Sequence, residues 1–193
     1  GAAAHDWYGE QGFRPDQVRL LALDVADTAM CRDTLGRLLQ DEGRVDVLVN
    51  NAGITRDGAF KRMTPEQWFE VIHTNLCSLY NVTQPLFDAM CEQRDARIIN
   101  ISSVNGQKGQ FGQVNYSAAK AGMLGFTKAL AAEGARFGVT VNAIAPGYTA
   151  TPMVEAIRTD ILDSIKADIP MRRLAKPEEI AAAVVFLASE AGA

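Results

Sequence analysis

The sequence predicts an α/β fold built on a doubly wound, open parallel sheet, and three observations carry the prediction. Four short runs, at 18–25, 45–50, 96–102 and 139–145, are nearly continuous in apolar and β-branched residues, as expected of strands buried on both faces of a parallel sheet. Helical patterns fill the intervals of about 20 to 40 residues between them, the spacing of right-handed βαβ units. The residues that follow the runs are small or polar, namely Asp24-Val25, Asn50-Asn51-Ala52-Gly53, Ser102-Ser103 and Pro146-Gly147. In such a sheet ligands bind beyond the carboxyl ends of the strands, where these residues stand.

The elements follow in order. Segment 27–42 carries Met30, Leu35, Leu38 and Leu39 at helical spacing. Thr64-Pro65-Glu66-Gln67 reads as an N-cap, a proline at the first helical position and a capping-box glutamine. The helix it opens is expected to run over 65–93 with an interruption near 81–85, because Pro85 removes a backbone donor. Segment 114–137 is rich in Ala, Leu and Lys and closes on Gly138, a usual residue just past a helix end. A less regular stretch, 148–171, is expected to hold one short helix at 153–166. Pro177-Glu178-Glu179 opens a last apolar helix at 180–189. Neither an internal repeat nor a linker divides the chain, so 1–193 reads as a single domain.

Composition narrows the function classes. The 193 residues are 48% hydrophobic and 22% charged with a net charge of −4, which gives no footprint for nucleic acid or for anionic lipid. The longest apolar run, 180–188, is half the eighteen or so residues that a bilayer requires. Gly1-Ala2-Ala3-Ala4-His5-Asp6 offers neither a basic nor an apolar export region, so no export signal is expected. Cys31, Cys77 and Cys91 form no Cys-x-x-Cys pair, which points to reduced thiols and a cytoplasmic setting. With only His5 and His73 as histidines, no metal site is expected.

The chemistry centres on Tyr116-Ser117-Ala118-Ala119-Lys120, which puts a phenol and an ammonium on one helical face. A fixed cation favours phenolate and is expected to bring the Tyr116 pKa down toward the range useful for proton transfer. An exposed helix pair is the bland alternative. Ser103, at the end of a predicted central strand, would donate to the same substrate oxygen. Asn75 falls in a helical stretch although asparagine is an indifferent helix former, and a backbone distortion that exposes a carbonyl to water would account for it.

In this order and at these spacings, Asn50-Asn51-Ala52-Gly53, Asn75, Ser103, Tyr116 with Lys120, and Pro146-Gly147 resemble the short-chain dehydrogenase/reductase family over nearly the whole chain. The resemblance implies a Rossmann-type doubly wound sheet. No Thr-Gly-x-x-x-Gly-x-Gly turn opens the chain, nor does a strand ending in Asn-Gly-Gly close it, so the sheet is expected to lack the family's first βα unit and last strand. Tyr116 would be the general acid of carbonyl reduction, Ser103 would orient the carbonyl, Lys120 would hold the nicotinamide ribose, and Asn75 would anchor a water in a relay to Lys120. Asp24 and Val25 would meet the adenine, Asn51, Ala52 and Gly53 the adenosine side, and Pro146, Gly147, Thr149 and Thr151 the nicotinamide end. The implied cofactor is NADPH, with NADH the alternative.

Segments 51–57 and 102–113 further resemble members of the family that act on 3-oxoacyl thioesters. That likeness implies reduction of acetoacetyl-CoA to (R)-3-hydroxybutyryl-CoA for polyhydroxyalkanoate synthesis, with the acyl-carrier-protein thioester as the alternative substrate. Asp57, Ser103, Gln110, Phe111, Gln113 and Tyr148 would line the acyl and pantetheine channel. From the residues alone, Gln110 and Gln113 are equally solvent-facing loop residues, Phe111 a loop staple and Tyr148 a packing residue. Arg94, Arg97, Arg172 and Arg173 would meet the CoA phosphates, or simply be solvated. A homotetramer paired through the helices at 65–93 and 113–137 is implied. A reading of another class is an inactive scaffold that binds no dinucleotide.

Overall fold

The computed structural model describes residues 2–14, 16–151, 154 and 158–192. Among them, three parallel strands form one sheet in the order β1 (Val47–Asn50), β2 (Ala96–Ile101) and β3 (Val139–Ile144). The register pairs Val49 with Ile99 and Ile99 with Asn142, so the three strand ends lie level. Residues Ala96 to Asn100 of the central strand are all buried, as the unbroken apolar run predicts.

Helix α1 (Ala2–Glu10) precedes a chain segment whose apolar run at 18–25 was expected to be a strand. It is not one: no residue in it joins a ladder. A strand needs a neighbour for its backbone groups, and this segment finds side chains instead. Asn81 Nδ2 donates to the Val25 carbonyl at 2.9 Å, and the Cys31 thiol donates to the Asp24 carbonyl at 3.5 Å. Leu23 and Val25 pack on the core, which accounts for their apolar character.

Helix α2 (Thr28–Glu42) starts on Asp27, whose side chain accepts from the Met30 N–H, and stops at Gly43 in the left-handed region. Helix α3 (Pro65–Ile72) has the predicted capping box, with Thr64 and Gln67 bonded to each other's backbone. The break in the following helical stretch is displaced from its expected place. It is a π-turn at His73–Cys77, and α4 (Ser78–Gln93) carries Pro85 within it. After β2 come the short α5 (Asn105–Lys108) and the long α6 (Val114–Gly134), whose last turn tightens at Ala135–Phe137 before Gly138. Helix α7 spans Thr159–Asp168; residues 152, 153 and 155–157 of the expected 153–166 helix and its approach lie outside the described residues. Helix α8 (Pro177–Ala188) packs against β2 and β3.

The core joins α2, α4 and the sheet through Cys31, Leu35, Val82, Leu86, Met90, Ala96, Ile98, Val139 and Val141. At about 1.5 to 3 kcal/mol for each large aliphatic buried, this cluster fixes the strands beneath the site. A polar ladder crosses the strand ends above it. Asn50 Nδ2 donates to Asn100 Oδ1 at 2.9 Å, Asn100 Nδ2 donates to Thr127 Oγ1 at 2.9 Å, and Thr127 donates on to the Met123 carbonyl at 2.8 Å. These bonds tie β1, β2 and α6 together one residue before the functional loops begin.

Candidate active site

A cavity of about 860 Å³ opens beyond the carboxyl ends of the strands. Its wall includes Asn51, Gly53, Asp57, Ser103, Gln113, Tyr116, Lys120, Pro146, Gly147, Tyr148, Thr149 and Thr151, so it gathers most of the sequence-predicted residues. Val25 and Ala52 line a smaller adjoining cavity of about 90 Å³, together with Asn51. Asp24 lines neither and is exposed, its carboxylate accepting from the Ala26 N–H at 2.9 Å. Gln110 and Phe111 are also absent from the cavity wall, and Phe111 is 90% exposed.

Lys120 reaches the cavity from the buried side of α6 and is 3% exposed. Its ammonium donates to the Ile101 carbonyl at 2.7 Å and stands 5.7 Å from the Tyr116 ring centroid. Burial lowers its pKa to about 8, because desolvation penalises the charged form. An ammonium has three donors, and the Ile101 carbonyl takes one. A Cβ on Gly53 would stand 3.5 Å from both Lys120 Nζ and Asn75 Oδ1, so the missing side chain keeps this floor open to a ligand.

Tyr116 departs from expectation. Its pKa is raised, not lowered: burial is the largest cause, the Ser103 hydroxyl draws it part of the way back, and the Asp57 carboxylate raises it further. Desolvation, which the sequence does not show, sets the direction. The phenol is thus held as a proton donor through neutral pH. The Ser103 hydroxyl oxygen accepts from the Asn105 N–H at 3.1 Å, which leaves its own proton for another acceptor.

Asn75 sits in the π-turn and is fully buried. Its carboxamide clamps the backbone of Ile54, accepting from the N–H and donating to the carbonyl, each at 2.8 Å. The side chain is therefore committed to holding the loop after β1, and only the backbone carbonyl of Asn75 is left for the expected water. The distortion inferred from an asparagine in a helix is present.

Residues outside the predicted catalytic group complete the site. Ser102 donates to the Lys120 carbonyl at 2.9 Å and so fastens α6 to the end of β2. Asn115, fully buried, donates to the carbonyls of Arg56 at 3.1 Å and Gln67 at 3.0 Å. Asn105 donates to Gln113 Oε1 at 2.9 Å, and Gln113 Nε2 donates to Asp57 at 2.9 Å. The Gly58 N–H adds a bond to the Gly112 carbonyl at 2.8 Å, so two loops form one wall. Position next to a strand end was the one available signal for Asn105. Of the arginines proposed for phosphates, Arg97 is buried in β2 and paired with Asp95 at 2.8 Å, and Arg173 is forked onto Glu179 at 2.7 Å. Neither guanidinium is free. Among the described residues no cluster of metal-ligating side chains occurs, and no helix is long and apolar enough to cross a membrane.

The residues present fit the nicotinamide end of a dinucleotide: a buried ammonium with spare donors beneath an open glycine, faced by Pro146, Gly147 and Thr149. Comparison with known proteins agrees. The model of the short chain dehydrogenases matches residues 2–162. An acetoacetyl-CoA reductase of Acinetobacter sp. (strain RA3849) is 59% identical over 187 residues, which are 97% of this chain and 75% of the relative. Nodulation protein G of Azospirillum brasilense is 56% identical over 184 residues, 95% of this chain and 75% of the relative. A 3-oxoacyl-[acyl-carrier-protein] reductase of Vibrio harveyi is 45% identical over 188 residues, 97% and 75% of the two chains. The chain belongs to the short-chain dehydrogenase family and is an oxidoreductase of that family.

Proposed function

We propose that the protein reduces the 3-keto group of a 3-oxoacyl thioester, with acetoacetyl-CoA as substrate and NADPH as reductant. The reading rests on one observation above all: Ser103, Tyr116 and Lys120 line one cavity together with the bonded Asp57–Gln113 pair. Relatives that carry the name acetoacetyl-CoA reductase at 59% and 57% identity support the choice of substrate.

A dihydronicotinamide, when bound, would supply hydride to the keto carbon. Ser103 would donate a hydrogen bond, keeping its proton, to the keto oxygen and hold it against Tyr116. Tyr116, kept protonated by burial, delivers the proton to that oxygen as charge develops on it. Lys120 would hold the ribose hydroxyls of a bound dinucleotide with its remaining donors, and water at the Asn75 carbonyl would return a proton toward Lys120. Asn51, Ala52, Gly53, Pro146, Gly147, Thr149 and Thr151 shape the dinucleotide side, with Asp24 and Val25 at the adenine. Asp57, Gln113 and Tyr148 shape the acyl side, whereas Gln110 and Phe111 stand outside the cavity wall.

The test is the oxidation of NADPH, and separately of NADH, followed by its absorbance with acetoacetyl-CoA. Tyr116→Phe is expected to lower turnover by about 10² to 10⁴, and undiminished turnover would overturn the mechanism. The Vibrio harveyi relative favours a second reading, the acyl-carrier-protein thioester, and the same assay with that thioester decides between them. A titration of dinucleotide fluorescence separates both from a scaffold that binds no cofactor. The protein is further proposed to be a cytoplasmic homotetramer, which light scattering checks for its assembly.

A further inference from the structure

The first turn of α6 is capped from inside the helix. Gln113 stands in the cap position but makes no cap bond, because its carboxamide is committed to Asp57 and Asn105. The Tyr116 N–H, one of the donors that a helix start leaves without a carbonyl one turn back, is taken instead by Asn115 Oδ1 at 2.8 Å. Asn115 Nδ2 donates to the Arg56 carbonyl at 3.1 Å and to the Gln67 carbonyl at 3.0 Å. The orientation of this carboxamide is unambiguous, since a backbone N–H only donates and a carbonyl only accepts. Both amide protons and the oxygen of a fully buried side chain are thereby engaged.

Asn115 thus joins three pieces: the backbone of Tyr116, the segment that leads into Asp57, and the first turn of α3. Arg56 also pairs with Glu70 of α3, its Nε donating at 2.8 Å, and Asp57 accepts from Gln113, so this segment is anchored to both helices. Tyr116 and Asp57 line the same cavity, and the Asp57 carboxylate helps to keep the phenol protonated, so their relative placement bears on proton delivery. A misplacement of about 1 Å costs about a hundredfold in rate. We propose that Asn115 is a positioning residue for the proton transfer: it touches no reacting atom and acts by fixing the backbone of Tyr116 against the segment that carries Asp57. The proposal rests on the reading of Tyr116 as the proton donor of a 3-oxoacyl-thioester reductase.

The experiment is a double-mutant cycle on the single-turnover oxidation of the reduced dinucleotide by saturating acetoacetyl-CoA. Asn115→Ala is made in the unaltered protein and in Tyr116→Phe. In the unaltered protein the substitution is expected to slow the step by about ten- to a hundredfold. In Tyr116→Phe, which has no phenol proton to place, it is expected to change the rate by less than about twofold. Equal losses in the two backgrounds would overturn the proposal, because a merely structural residue lowers the rate whether or not the phenol is present. An unchanged rate in Asn115→Ala would overturn it as well. Should Asn115→Ala not fold, Asn115→Ser takes its place in the same cycle. Its hydroxyl has one proton for two carbonyls, so the same pattern is expected with smaller losses. An unaltered protein that oxidises no dinucleotide with acetoacetyl-CoA is a separate outcome, which defeats the reading of the function and the proposal with it.

Discussion

Replacing Lys120 by methionine is expected to change the pH dependence of stability in a way that only a buried, titrating amine explains. In the folded chain its pKa is about 8 against an ordinary value of 10.5. At about 1.4 kcal/mol per pH unit, that fall corresponds to about 3 kcal/mol. The sign follows from proton counts. Between about 8 and 10.5 the unfolded chain holds the Lys120 proton and the folded chain does not, so stability rises with pH through this window. Below it the folded state carries the full desolvation cost. Lys120→Met removes that cost but leaves the Ile101 carbonyl without its 2.7 Å donor, a loss of about 1 to 3 kcal/mol that offsets most of the gain near neutral pH. The pH slope is therefore the cleaner observable. Urea unfolding of both proteins without dinucleotide, at steps from pH 7 to pH 10.5, is expected to show the unaltered protein gaining about 3 kcal/mol relative to the variant. Parallel stability curves across that range would mean that Lys120 titrates as an exposed lysine, and the account of its burial would fall.

Three further outcomes are expected. Asn75→Ala deprives the Ile54 N–H and carbonyl of partners at 2.8 Å and should destabilise the protein by about 3 kcal/mol in urea unfolding, since two groups each lose about 1 to 3. Gly106→Ala would bring a Cβ to 2.7 Å from the Lys120 carbonyl carbon and 2.9 Å from the Ala121 nitrogen, so α5 and α6 must part; a loss of about 1 to 3 kcal/mol and a lower kcat are expected. The kcat/KM for keto reduction should fall as pH rises through about 8, where Lys120 loses its proton, because the Tyr116 phenol remains protonated beyond that point. A profile flat to pH 9 would count against the role of Lys120.

The parts of the fold that were legible in the sequence are those set by local chemistry. The Thr64–Gln67 box and Gly138 mark helix ends because each supplies a cap through its own side chain or φ, independent of the rest of the chain. The runs that became β1, β2 and β3 were legible from their nearly continuous apolar pattern, but only the central β2 is buried on both faces as that pattern predicts; β1 keeps Val47 and Val49 exposed and β3 is buried only at Val139 and Val141. The run at 18–25 has the same pattern and yet is no strand: Leu23 and Val25 pack on the core, Leu21 is exposed, and a strand also needs a partner for its backbone. Pro85 misled for a related reason: a missing donor is a local fact, but where a long helix distorts depends on what packs against it. The distortion instead falls where Asn75 reaches across to Ile54.

The site shows the same division between what residue types declare and what only their surroundings decide. Tyr116 and Lys120 were legible as a proton donor beside a cation, and geometry alone suggests that the cation would pull the phenol down. In the structure both side chains are buried, and desolvation opposes charge on each, moving Lys120 down and Tyr116 up. The two shifts favour neutral forms of both groups, so neither ionises the other, and the phenol is kept as an acid. Asp57 adds to this from the cavity wall, where its charge raises Tyr116 while its hydrogen bond sets the orientation of Gln113 and Asn105. One carboxylate thus biases the proton donor and orients the two carboxamides beside it. A neutral replacement at position 57 would therefore act on both at once, relaxing the phenol downward in pKa and freeing the carboxamides of Gln113 and Asn105 to turn over.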